Sequence, residues 1–164
     1  MNIFELFLAL SFWKDTHPRL LVEPNLLEQA LDLAQQADFR GPIVEKLWIL
    51  VANLAYHKSV KSVFLKYEEC FAMALAVLSL EGQSLKMKWI VTQFFVNILH
   101  KCNAAVTLIK KEHIVDQFFY FKKEMERELD KLTFTDIDKE ENAETIELVK
   151  RLLENLSKIN LFMK

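Results

Sequence analysis

Apolar stretches of helical length recur along this chain at a fixed distance. Leu20, Val63 and Val106 are 43 residues apart, and each follows a hydrophobic stretch and a short polar break. A second set with the same spacing consists of Val22, Leu65 and Leu108. A period of roughly 40 to 47 residues with two or three helices per unit is typical of stacked helical repeats. The pattern therefore predicts three successive helical units.

A few residues that typically begin or end helices divide the chain into predicted helices. Pro42 suits the first position of a helix, Ser59 and Asn103 are expected as N-caps, and Gly82 is expected to end a helix. Between these signals, apolar residues recur at helical spacing. The predicted helices cover residues 26–37, 43–56, 59–66, 68–80, 84–100, 104–110, 113–132 and 144–162.

Two segments depart from this pattern. Residues 1–13 are strongly apolar, but they are too short to span a bilayer and lack the cleavage site of a secretory signal. We expect them to form the last helix of a partial repeat, in a chain cut from a longer array. The acidic segment 133–143 has no apolar period and is predicted to be an exposed loop.

Composition favours an all-α fold. Two Gly and three Pro are too few for the turns of a β-fold, and 52% of the residues are hydrophobic. We therefore predict a right-handed α-solenoid of about three repeats in a single domain. Its predicted divisions are a partial repeat at 1–14, repeats at 15–57 and 58–101, and a third repeat at 102–164 that contains the acidic loop.

Nine apolar residues are expected in the core of this fold. They occupy the inward positions of the predicted helices, where truncation to Ala costs about 2 to 5 kcal/mol at well-packed sites. The set consists of Trp48, Leu50, Phe71, Leu75, Phe94, Phe95, Leu99, Phe118 and Leu152.

The sequence offers no arrangement that suits catalysis. His57 and His100 are 43 residues apart, so the repeat accounts for their spacing. Metal-protease, phosphate-loop and nucleophile-elbow motifs do not occur. We therefore predict no enzyme activity, no metal, no cofactor and no small-molecule substrate.

An Asn followed by an apolar residue recurs near the end of the third helix in three successive predicted units. These pairs are Asn53-Leu54, Asn97-Ile98 and Asn155-Leu156. In this respect the chain resembles the armadillo superfamily, whose third helices line a concave groove. Such an Asn has two physical uses: it bonds the scaffold's own backbone, or it holds the main chain of a bound peptide.

One departure from the peptide-carrying armadillo proteins is clear. The importin-alpha family has a Trp four residues before this Asn, whereas the present chain has Ile49, Gln93 and Arg151 there. Only Trp89 shares the face of its Asn, so a nuclear-signal receptor is disfavoured and the tryptophans are expected mainly in the core. Among large armadillo-type proteins, the chain resembles the C-terminal region of rotatin-like scaffolds of the centriole and cilium.

The resemblance implies a non-catalytic scaffold that binds a peptide or helix of a protein partner. The expected groove lies on the long helices 43–56, 84–100 and 144–162. Its residues align at successive helical turns. They are Asn53, Tyr56, Trp89, Gln93, Asn97, His100, Arg151, Asn155 and Lys158.

Other functions remain open at this point. The chain is alternatively a structural end-piece of a large solenoid, with self-association through its exposed N-terminal helix. Nucleic-acid binding is less expected, because the net charge is −2 and aromatic residues are not interleaved among the lysines. The lysines concerned are Lys58, Lys61, Lys66, Lys86, Lys88, Lys101, Lys110 and Lys111.

The expected location is a reducing compartment, without insertion into a membrane. The two cysteines, Cys70 and Cys102, lack the close spacing of a disulfide framework or zinc site. This suggests the cytoplasm, including the centrosome or centriole, or the nucleus.

Overall fold

A computed structural model describes residues 3–20, 26, 29–30, 32–33, 42–111, 114–134 and 142–164. These residues form helices joined by short turns and contain no β-strand, which confirms the all-α prediction. The chain divides into two compact units, Met1–Gln83 and Ser84–Lys164. This division falls inside the second predicted repeat, and the number and stacking of the repeats stay a prediction.

The first unit contains one long helix packed on the N-terminal helix. Its described elements are α1 (Ile3–Ser11), a 3-10 turn (Lys14–Thr16), α2 (His17–Leu20), α3 (Pro42–Leu54), α4 (Lys58–Phe64) and α5 (Glu68–Ser79). α1 packs against α3, whose first residue is the predicted Pro42. The predicted helix 26–37 lies mostly outside the described residues, although 26, 29–30 and 32–33 are helical and Ala30 is buried.

The start of α4 differs from its prediction. His57, and not Ser59, is the N-cap: its extended backbone lets Nδ1 accept from the Ser59 N–H at 3.4 Å. The Ser59 hydroxyl donates to the same nitrogen at 2.7 Å. The prediction was wrong because an imidazole nitrogen supplied the acceptor that N-caps usually take from a hydroxyl or carboxylate oxygen.

The second unit is built from α6 (Leu85–Leu99), α7 (Asn103–Lys111), α8 (Ile114–Phe134) and α9 (Ala143–Phe162). α9 packs on both α6 and α8 and is the central helix. Ser84 caps α6 by accepting from the Met87 N–H at 3.2 Å. Two boundaries differ from prediction, since Asn103 is the first residue of α7 rather than its cap and residues 133 and 134 still belong to α8. Residues 135–141 of the predicted loop lie outside the described residues.

The predicted core is largely correct. Eight of the nine residues are buried, and Leu75 is half-buried because its neighbours Ala74 and Val77 occupy the inner face of α5. In the second unit, Phe95 makes edge-to-face contacts with Phe94 and Phe118, at ring-centroid distances of 5.3 and 4.8 Å. Such aromatic pairs contribute stability beyond the area they bury.

Membrane crossing requires a helix that is both long and apolar. None of the helices in the described ranges meets both requirements. The long helices α8 and α9 carry charged residues throughout their exposed faces.

The second residue after α6 has an unfavourable backbone conformation. Lys101 has a φ of 54°, in the left-handed region that suits glycine. We expect Lys101→Gly to raise the free energy of unfolding by about 0.5 to 1 kcal/mol. Chemical denaturation measures this change. Gly82, with a φ of 75°, is the matched control: Gly82→Ala should lower stability, and a destabilised Lys101→Gly would contradict the expectation.

Candidate partner-binding face

The exposed face of α6 carries a row of polar and aromatic side chains. Trp89, Gln93 and Asn97 are each half-buried, and His100 at the end of the row is exposed. The spacing of four, four and three residues keeps all four on one side of the helix. The opposite side holds the buried Phe94, Phe95 and Ile98.

One end of this row opens into a cleft between the first turns of α6 and α9. The cleft has a volume of about 360 Å³ and is lined by Lys86, Trp89, Glu144, Glu147, Leu148 and Arg151. Its apolar surface comes from Trp89 and Leu148, and its rim carries two basic and two acidic side chains. Two of the predicted site residues, Trp89 and Arg151, therefore meet at one concavity.

Ion pairs orient two basic side chains of α9, Arg151 and Lys158. Arg151 Nε donates to Glu147 Oε1 at 2.9 Å, so the basic group on the cleft rim has an acidic neighbour one turn away. Lys158 forms the same kind of pair with Glu154 at 2.7 Å. The hydrogen bond and charge of Lys158 lower the pKa of Glu154. Because both pairs are exposed, they orient the side chains but contribute little to stability.

A side-chain hydrogen bond orders the middle of the α6 row. Gln93 Nε2 donates to Asn97 Oδ1 at 2.9 Å. The two amides are one turn apart and half-buried, so this bond reduces the number of rotamers that either side chain samples. The row therefore presents the two amide groups in a restricted orientation next to the cleft.

Asn155 does not belong to this exposed face, which corrects its assignment to the groove. Its side chain is 4% exposed, and Nδ2 donates to Thr92 Oγ1 at 3.3 Å. The Thr92 hydroxyl in turn donates to the Trp89 carbonyl at 2.8 Å. α9 turns Asn155 inward together with Leu156, so the amide joins the two helices and is not accessible to a partner.

The remaining predicted residues have local roles. In the first unit, Asn53 Nδ2 donates to Ser11 Oγ at 3.0 Å, and Tyr56 is exposed. In the second unit, the His100 ring lies edge-to-face against Phe162 at 5.9 Å. The groove expected to join Asn53 and Tyr56 to the α6 row stays a prediction.

The Asn53 contact is part of a polar joint at the end of α1. The Ser11 hydroxyl donates to the Leu8 carbonyl at 2.7 Å, and His17 Nε2 donates to the Ser11 carbonyl at 2.7 Å. Ser11 and His17 are both buried. Asn53 therefore supports the packing of α3 on α1, through a side-chain hydroxyl and not through the backbone.

The three tryptophans have different environments. Trp48 is buried in the core, as expected, whereas Trp89 is half-buried at the cleft and Trp13 is 71% exposed. The expectation of a core position was therefore wrong for Trp13 and Trp89. Sequence reasoning also missed the cleft residues Lys86, Glu144, Glu147 and Leu148. The available signal was their position one or two turns before Trp89 and Arg151 on their helices.

Two further groups of residues bear on function. Burial raises the pKa of the Cys70 thiol to about 12, so this thiol is protonated at neutral pH and shielded from reagents.

Lys61 is buried and Lys88 lies 5.2 Å from the Phe121 ring centroid, so these two lysines do not extend a free basic surface. Within the described residues, no group of three or more His, Cys, Asp or Glu is arranged to hold a metal ion.

Comparison with known proteins does not assign a function to the cleft. No family model, curated protein or solved structure matches the chain.

Proposed function

We propose that this protein is a non-catalytic interaction scaffold whose α6 and α9 helices receive a segment of a partner protein. The observation that supports this most directly is the cleft of about 360 Å³ with the half-buried Trp89 in its wall. Tryptophan is among the residues most enriched at the energetic centres of protein interfaces.

The chemistry of the cleft suits a mixed polar and apolar segment. Its apolar surface favours an apolar anchor side chain, and its balanced rim of Lys86, Glu144, Glu147 and Arg151 selects no single sign of charge. A partner with an apolar anchor flanked by both acidic and basic residues meets these requirements.

The amide row continues the binding surface beyond the cleft. Trp89, Gln93 and Asn97 are four residues apart, which corresponds to about 6 Å along the helix axis. Two residues of an extended chain span about 6.6 Å. A peptide running along α6 would therefore bring every second residue to a new side chain of the row.

Within this proposal the chain is a short armadillo-like solenoid that works through protein contacts in the cytoplasm, including the centriole, or in the nucleus. The two free cysteines support a reducing compartment. The burial of Lys61 argues against the lysine stripe as a nucleic-acid site.

A second candidate function has its own supporting observation. Leu6 is exposed on α1, and the two residues that follow this helix, Phe12 and Trp13, are each more than half exposed. Large apolar groups at the end of a repeat array favour contact with a further repeat. The structural end-piece therefore remains the alternative to a peptide-binding scaffold.

The cleft is tested by affinity capture with matched variants. The chain is immobilised, and proteins retained from a cell extract are quantified by mass spectrometry. We expect Gln93→Ala combined with Asn97→Ala, and separately Glu147→Ala combined with Arg151→Ala, to lower capture of the same proteins by about tenfold. The melting temperature should stay nearly unchanged for Glu147→Ala with Arg151→Ala, because exposed substitutions shift stability by less than about 0.5 kcal/mol. For the half-buried Gln93 and Asn97, the loss of their hydrogen bond should cost about 0.5 to 1.5 kcal/mol.

The control for this experiment is another exposed ion pair. Lys122 and Glu126 on α8 form an i,i+4 pair at 3.8 Å. Replacing both with Ala should leave capture unchanged. Equal capture by all variants would contradict the cleft, and a large fall in melting temperature with unchanged capture would assign the α6 row to the scaffold's own stability. Loss of capture on replacing Phe12 and Trp13 alone would favour the end-piece.

A further inference from the structure

α8 has an exposed face that its own chain does not fill. Its inner side is buried through Ile114, Phe118, Phe121 and Met125. On the other side, Asp116, Tyr120, Lys123 and Arg127 are all exposed, and Tyr120 keeps 70% of its surface accessible. We call these four residues the α8 stripe.

The α8 stripe has the spacing of a helix-pairing seam. Its members are separated by four, three and four residues, which places them within one narrow sector of the helix. The stripe extends over about 16 Å of helix axis. A second helix lying along α8 would therefore meet all four side chains at once.

The order of charges along the stripe is self-complementary in one orientation. If a second α8 runs antiparallel about a two-fold axis between positions 121 and 122, Asp116 of each copy lies opposite Arg127 of the other. The same operation places Tyr120 opposite Lys123. Each contact occurs twice, as a two-fold symmetric interface requires. A parallel pair would instead place Asp116 against Asp116 and Arg127 against Arg127.

Contacts of Lys123 and Tyr120 with Phe119 already order part of the α8 stripe within one chain. Lys123 Nζ lies 4.5 Å from the Phe119 ring centroid within the chain, and Phe119 meets Tyr120 edge-to-face at 6.1 Å. Lysine over an aromatic face is an attractive arrangement. The antiparallel pair would place the Lys123 ammonium between Phe119 of its own chain and Tyr120 of the second copy.

We propose that the protein forms an antiparallel, two-fold symmetric dimer through the α8 stripe. The stripe shares no residue with the lining of the cleft between α6 and α9. A single pair of helices buries less area than a standard interface of about 1,600 Å², so the dimer belongs to the weak, concentration-dependent class. Its ion pairs also make it sensitive to salt.

Charge exchange tests the proposal in the full chain. Sedimentation velocity over a wide range of protein concentration measures the dissociation constant. Asp116→Arg places like charges opposite each other twice, as does Arg127→Asp, and we expect each to raise the dissociation constant by about tenfold or more. The double variant Asp116→Arg with Arg127→Asp restores both pairs, and its affinity should return to within about threefold of the original.

Two controls make the outcome decisive. Lys122→Glu changes a charge on α8 outside the stripe and should leave dimerisation intact, whereas Tyr120→Ala should weaken it. Circular dichroism verifies that each variant is folded. A monomer at every concentration would overturn the proposal. So would single charge changes without effect, a double variant that fails to recover, or a dimer abolished by Phe12→Ala with Trp13→Ala but not by the stripe variants.

Discussion

Phe95→Ala is expected to lower the free energy of unfolding by about 3 to 5 kcal/mol. Phe95 is fully buried on α6 and lies between two other aromatic rings, Phe94 and Phe118. Removing the ring eliminates its hydrophobic transfer energy and both edge-to-face contacts, and leaves a cavity that helices α6 and α8 cannot fully close. Equilibrium unfolding in urea, followed by circular dichroism, measures the change.

This loss is a large fraction of the total free energy of unfolding of ordinary domains, which is about 5 to 15 kcal/mol. Phe119→Ala is the matched control, because Phe119 follows the buried Phe118 on α8 but is 49% exposed. Its truncation should change stability by less than about 0.5 kcal/mol. A loss below about 1 kcal/mol for Phe95→Ala would show that the core of the second unit is not organised around this ring.

Asn155→Asp is expected to be the most damaging near-isosteric change in α9. The substitution places a carboxylate where the amide donates to Thr92, at a position with 4% exposure. Burying a charge without a cationic partner costs several kcal/mol, and we expect a loss of about 2 to 4 kcal/mol at pH 7. An Asn→Asp change on the exposed face of α9 would be tolerated. A large loss of stability at position 155 would therefore indicate that Asn155 supports the packing of α9 on α6.

The loss should depend on pH in a defined direction. Burial favours the neutral carboxyl, so the folded-state pKa of the introduced Asp is raised above its unfolded value of about 3.9. Between the two pKa values the folded state binds more protons than the unfolded state, and stability falls as pH rises by up to about 1.4 kcal/mol per pH unit. Below the unfolded pKa the penalty for the charge is absent.

Denaturation of Asn155→Asp and the parent chain at a series of pH values checks this expectation through the difference between the two curves. Asn103→Asp provides the control, because Asn103 is exposed in the first turn of α7, where a negative charge is tolerated. A pH-independent difference for Asn155→Asp would show that the carboxylate reaches water. Asn155 would then return to the candidate partner-binding residues.

Much of the fold could be predicted from periodicity and breakers alone. The low content of Gly and Pro fixed the helical class, and apolar spacing located most helices to within two residues. Leu75 shows the limit of the burial prediction, since several apolar residues of α5 compete for one inner face and the pattern does not rank them. The His57 cap was missed because imidazole rarely takes this role.

Less of the candidate site could be predicted from the sequence. Helical spacing alone placed Trp89, Gln93 and Asn97 on one face, because side chains three or four residues apart are neighbours whatever the helix packs against. The recurrence of an Asn near the ends of three predicted third helices likewise suggested three equivalent Asn residues. Spacing within one helix carries no information about the rotation of that helix against its neighbours.

Tertiary packing decided the rest. It turned Asn155 inward to Thr92, tied Asn53 to Ser11, and brought Leu148 and Arg151 beside Trp89 to form a cleft. Asn53 and Asn155 thus have different environments, because each helix rotates to bury its own most apolar face. The sequence by itself determined the helical class and the faces of single helices. Only the packing of α9 against α6 decided which polar groups on those faces stay accessible to a partner.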